Sequence, residues 1–172
     1  MTTPTWGGPA VDLRRAFRSD ASSVWVVTTA HAGRPVGFTA VSVTSVSLVP
    51  PLLSFNVSRS SSSLHALVQS GRYAVHLLAA DQAELARRFA ADAALRFGPA
   101  TAWRWGDDDL PHLDGVVTRV AGAVLRFVEA GDSLLALGEV HRVTGADSPG
   151  VEPLVHHSRT YTRPAALEGA VA

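Results

Sequence analysis

A mainly antiparallel β fold, closed or nearly closed on itself, follows from three features of this 172-residue chain. About seven strand-like runs stand against three helical ones, and most connections are of hairpin length rather than of the spacing that a strand–helix–strand unit needs. One domain is expected over residues 1–172, with a core at about 11–162 and flexible tails at 1–10 and 163–172.

The elements are read in chain order. Val11, Leu13, Ala16 and Phe17 are spaced for a short amphipathic helix, Val11 to Arg18, lying as a lid on the core. Ser23 to Thr29 is a β-branched and aromatic run that meets His31-Ala32-Gly33-Arg34-Pro35, which reads as a strand entering a hairpin turn. From Val36 to Leu48 the alternation changes phase at Thr44-Ser45, so one long strand with a bulge near Thr44 is expected. Pro50-Pro51 ends its ladder, and Leu52 to Val57 forms a third strand.

Ser60 to Gln69 reads as a helix closed by Gly71, and Arg72 to Leu78 as a fourth strand. Asp81-Gln82-Ala83-Glu84 resembles a capping box opening a helix that ends near Ala91. Asp92 to Pro111 has no steady period; it is expected to be a long surface excursion whose Asp107–Asp109 run is a solvated tip. Val116 to Val128 and Leu134 to Val143 flank a glycine-bearing hairpin, and a last strand runs from Leu154 to His157.

Composition narrows the function. Lys plus Arg and Asp plus Glu number 15 each, so no net field draws the chain to nucleic acid or an anionic membrane, and an anion has to be held locally. Without cysteine there is no thiolate metal site or thiol nucleophile; a reducing cytoplasm is the expected compartment, and redox chemistry would need a bound cofactor. Residues 1–10 lack the apolar centre of a signal peptide, and no run approaches a membrane span. Neighbouring His156 and His157 would point to opposite faces of a strand, so no metal site is expected. The five other histidines are read as scattered packing or surface residues.

Two stretches carry chemistry. In Ser58-Arg59-Ser60-Ser61-Ser62-Ser63-Leu64 a guanidinium and hydroxyls stand where a helix would open, a donor set that a phosphate can accept. The same pattern also describes an ordinary serine cap with a solvated arginine. Gly37 to Ser47 is rich in side chains too small to cover the backbone, so it can offer main-chain groups and hydroxyls to a flat heteroaromatic ring, although serine and threonine also populate exposed strand faces.

Together, Gly37 to Ser47, Pro50-Pro51 and Arg59-Ser60 with Ser62-Ser63-Leu64 resemble the signature of the short-chain flavin reductases of two-component monooxygenases. The likeness continues in Ser70 to Val75, Leu85 to Ala90, Leu113-Asp114-Gly115, Ala130-Gly131-Asp132 and Leu137 to Val140. The resemblance implies an FMN-binding split β-barrel, a homodimer, FMN or FAD reduced by NADH or NADPH, and reduced flavin passed to a separate monooxygenase. It implies a ring along Thr39, Ala40, Val41, Ser42, Thr44 and Ser45, a phosphate on Arg59, Ser60, Ser62 and Ser63, and further contacts from Phe89, Ser133 and His157. No catalytic acid or base is expected, because the transfer is between cofactors. Ser133 stands where the family usually has a histidine associated with the nicotinamide, which leaves a flavin-binding accessory protein or a split-barrel oxidase as alternatives.

Overall fold

A computed structural model of the chain describes residues 12–145 and 150–165. In chain order its elements are α1 (Leu13–Ala16), β1 (Ala21–Ser23), β2 (Trp25–His31), β3 (Arg34–Ala40), β4 (Thr44–Leu48), β5 (Pro51–Ser58), α2 (Leu64–Ser70), β6 (Arg72–Leu77) and α3 (Ala83–Ala90). A 3₁₀ turn (Ala93–Leu95) then leads to β7 (Trp103–Trp105), β8 (Pro111–Leu113), β9 (Thr118–Ala130), β10 (Ser133–Thr144), β11 (Val155–His157) and β12 (Thr160–Thr162).

Seven strands pair antiparallel in the order β3-β2-β6-β9-β10-β5-β4, and the ladder stops at β3 and β4. Period-two alternation gives this sheet two buried faces. On one, Val27, Phe55, Tyr73, Val75 and Ala136 pack with Leu67 of α2. On the other, Val26 and Leu78 pack with Ala86 and Phe89 of α3 and with Leu113 of β8. The second face explains why β2 is apolar at consecutive positions and why α3 lies across it.

Several boundaries differ from the sequence reading. The run Ser23 to Thr29 divides at buried Val24, whose N–H donates to the Leu154 carbonyl, so β1 pairs with β11 while β2 joins the main sheet. The long strand over Val36 to Leu48 is two strands at opposite edges of the sheet; the change of phase marks a crossing at 41–43, and the register irregularity falls later, between Ser45 and Ser47. The helix expected from Ser60 begins at Leu64, because the serines form turns first, with Ser61 N–H on Ser58 O and Leu64 N–H on Ser61 O. It closes at Gly71, whose φ of 63° suits glycine. Of the expected lid helix only Leu13–Ala16 is helical, while Val11 and the tail residues 1–10 and 166–172 lie outside the described residues.

The excursion over Asp92 to Pro111 contains more order than its irregular pattern indicates. β7 pairs with β8, and Asp108 is no solvated tip: its carboxylate accepts from Arg119 Nη2 at 2.8 Å and from Leu110 N–H at 3.3 Å. His76 and His112 are not scattered either, since their rings meet edge-on under this hairpin with centroids 6.3 Å apart. β12 was not anticipated; it adds to β1 and β11 in a small three-stranded sheet. Among the described residues no helix is long and apolar enough to cross a membrane.

Candidate functional site

Among the described residues an open cavity of about 660 Å³ lies between the end of β3, the outer part of β5 and the C-terminal end of α3. Each wall has a local cause. Gly37 lets α3 approach β3, since a Cβ there would stand 2.8 Å from Val27 O and 2.9 Å from Phe89 Cε1. Thr39 Oγ1 fastens the two elements by donating to Ala86 O at 2.6 Å. Beyond β3 the chain crosses to β4, and Ser42 Oγ accepts from Asn56 N–H at 2.9 Å, holding the crossing against β5.

Of the residues singled out in the sequence, Thr39, Ala40, Val41, Ser42, Ser60, Ser62 and Phe89 line this cavity. Ser63 lies just beneath; it is 1% exposed, and its Oγ donates to Gly37 O at 3.1 Å. Arg59 turns away. Its Nε donates to Gly131 O at 3.0 Å and its Nη2 lies 3.3 Å from Glu129 Oε1, so the guanidinium grips the β9–β10 hairpin. Thr44 and Ser45 stand on edge strand β4 outside the lining, and Ser45 borders a different, apolar groove. Ser133 is paired with Ser58, one strand from the rim, and its hydroxyl donates to Asp132 Oδ1 at 3.1 Å. His157 belongs to the small sheet, opposite Ala21, with its Nε2 3.2 Å from Ser158 Oγ.

The residue missing from the sequence reading is Arg96. It lines the cavity yet is only 9% exposed. Nη1 donates to Gly37 O at 2.7 Å and to Ser63 Oγ at 3.1 Å, and Nη2 donates to Ala91 O at 2.7 Å. Nε is buried without a partner, and no carboxylate among the described residues lies within ion-pair distance. Burial pushes the Arg96 pKa below the ordinary arginine range, while nearby Asp92 pulls it back up. A guanidinium in that condition suits an anion. Its only sequence signal was a lone arginine between Leu95 and Phe97, inside a stretch without a period.

The cavity thus joins a small-residue strand end, a phenyl wall and hydroxyls around a buried cation, a donor set that fits a phosphorylated flat ring. The profile described as Flavin reductase like domain matches residues 17–165. The chain belongs to that family. A Rhodococcus qingshengii NADH:FMN oxidoreductase is 40% identical to this flavin reductase-like chain over 160 residues, covering 92% of the chain and 83% of the relative. The reductase component of a flavin-dependent trigonelline monooxygenase from Acinetobacter baylyi is 35% identical over 81% of this chain and 45% of its own length. A Streptomyces globisporus NADH:FAD oxidoreductase, solved with NAD and FAD fragments, superposes with a TM-score of 0.82 at 34% identity, covering 89% of this chain and 91% of that one.

Proposed function

We propose that this flavin reductase-like chain is an NAD(P)H:flavin oxidoreductase that reduces FMN or FAD and supplies reduced flavin to a separate monooxygenase. The observation that carries this reading is the cavity with Arg96 and the serines at one end and Thr39 to Ser42 along one side, in a chain 40% identical to an NADH:FMN oxidoreductase.

When bound, the flavin and the nicotinamide nucleotide are the hydride acceptor and donor, and the chain supplies position rather than an acid or base. Thr39 to Ser42 and Phe89 would border the ring, while Arg96, Ser60 and Ser62, which line the same cavity, would hold the phosphate. Ser63 sets Arg96 in place from beneath. Arg59 acts from the rim, through the hairpin that carries Ser133. Mixing the purified protein with FMN or FAD and NADH or NADPH tests the reading, because turnover consumes the nicotinamide absorbance band. A yellow protein without turnover would favour the accessory reading, for which Ser133, with its hydroxyl committed to Asp132, is the specific support.

Three further parts belong to this proposal. The sheet is a split barrel within one domain: outermost strands β3 and β4 are joined by residues 41–43 alone, a connection reaching about 14 Å, so the sheet has to curl to bring its edges together. The protein is a homodimer. Val46, Leu48 and Val49 are 52%, 85% and 91% exposed beside an apolar groove containing Trp25, Val43 and Val143, and a second copy would cover that face. A monomer in sedimentation at micromolar concentration would contradict this. The cysteine-free composition supports work in the reducing cytoplasm.

A further inference from the structure

Among the described residues two charged side chains line the inner cavity, Arg96 and Asp92, and the rest of its wall is uncharged. The other cations nearby are engaged elsewhere. Arg59 pairs with Glu129 at 3.3 Å at the rim; Arg87 and Arg88 line a separate hollow, where Arg87 pairs with Glu84 at 3.3 Å and Arg88 Nη1 donates to Ala100 O at 2.6 Å. The cavity thus holds one positive and one negative charge, with no second cation in its wall.

The two groups are held differently. Arg96 is fixed from beneath, with its terminal nitrogens on Gly37 O, Ser63 Oγ and Ala91 O. Asp92 stands exposed at the head of the 3₁₀ turn, where its Oδ1 accepts from Ala94 N–H at 3.0 Å and caps the turn. Asp92 acts electrostatically on Arg96, yet the two form no ion pair, so the carboxylate keeps its charge toward whatever fills the cavity.

A cap does not need that charge, because asparagine and serine cap as well as aspartate. The turn therefore accounts for an oxygen at position 92 and leaves the negative charge to the cavity. In the wall of an anion site a carboxylate sorts ligands by how much charge they bring. One phosphate is met by Arg96 and the serine hydroxyls. A second phosphate joined to the first finds no second cation and is repelled by Asp92.

We propose that Asp92 is a specificity-determining residue that limits the cavity to one phosphate, so that the flavin mononucleotide is favoured over the dinucleotide. The inference rests on the flavin reading of the cavity and on Arg96 as its phosphate partner.

The test measures equilibrium dissociation constants for FMN, FAD and riboflavin on the full chain, on Asp92→Asn, which keeps a capping oxygen and removes the charge, and on Asp92→Ala, which removes both. The unsubstituted protein is expected to bind FMN more tightly than FAD. Both variants are expected to raise FAD affinity about fivefold relative to FMN, the size of one close charge–charge repulsion across water, with riboflavin unchanged. FAD bound as tightly as FMN by the unsubstituted protein, or an FAD-to-FMN ratio unmoved in folded Asp92→Asn, overturns the role of Asp92 while leaving the inner site standing. A ratio that moves in Asp92→Ala alone overturns it too, since the cap and not the charge would then be responsible. FMN bound no more tightly than riboflavin by the unsubstituted protein overturns the phosphate site itself, and the role of Asp92 falls with it.

Discussion

Arg96 and Arg119 are both buried arginines, at 9% and 3% exposure, but they are compensated differently. Arg119 lies on β9 beneath the β7–β8 hairpin and meets the Asp108 carboxylate at 2.8 Å, so its charge is balanced within the fold. Arg96 lies under the cavity, where its hydrogen bonds go to carbonyls and hydroxyls alone and the nearby acid, Asp92, stays outside ion-pair distance. A buried charge without a counter-charge is costly, and a structure that keeps one in the wall of an open cavity leaves the balance to something that enters. The first arginine belongs to stability, and in the proposed function the second belongs to binding.

Breaking the balanced pair should have the largest effect. Asp108→Ala strands the Arg119 guanidinium, and about 3 kcal/mol of stability should be lost in denaturant titration, with flavin affinity of the folded fraction little changed. An equal loss of flavin affinity would show that the two regions are not separable.

Acid should act on the same region. His76 is fully buried and its pKa is pushed down to about 3, first by burial and then by the Arg119 charge. The native state therefore keeps it neutral while the unfolded chain takes a proton below about 6.5, so stability is complete above that pH and declines as pH falls toward 3. At pH 4.5 the expected loss is about 2–3 kcal/mol relative to neutral pH. Asp108, whose pKa is lowered by its hydrogen bond and charge pairing with Arg119 against an opposing burial effect, extends the decline below about pH 4. Unfolding free energies followed from pH 7 to pH 4 should show this limb, and His76→Gln should flatten it; an unchanged slope in that variant would remove His76 as the cause.

Arg59→Ala should have the smallest effect. Its guanidinium pairs with Glu129 in an exposed setting, and the expected loss of flavin affinity is about 0.5–1 kcal/mol. A loss of 2 kcal/mol or more by equilibrium binding would return the phosphate to Arg59, as the motif alone suggested.

What the sequence made legible was whatever leaves a local periodic or turn signal. The β9–β10 hairpin was readable because Gly131 stands between two long β-branched runs, and α2 because Gly71 closes it. Part of the cavity lining was readable because Thr39 to Ser42, Ser60, Ser62 and Phe89 sit in recognisable motifs. The crossing at 41–43 was not, since a change of phase in the alternation is also what a bulge within one strand would leave, and only the fold shows two sheet edges. Arg96 was hidden for a related reason: its partners Gly37 and Ser63 are 59 and 33 residues away, and only tertiary folding makes it a cavity residue. Asp108 looked like a solvated acid because its partner, Arg119, arrives from another strand.

In the proposed function Arg96 is the cation that meets the ligand's phosphate, and FMN and riboflavin differ by that phosphate alone. Dissociation constants for both should be measured on the unsubstituted protein and on Arg96→Gln. FMN binding should weaken by about 1.5–3 kcal/mol while riboflavin binding moves by less than about 0.5 kcal/mol. Equal losses for the two ligands, or an unchanged FMN constant in a folded variant, would contradict it.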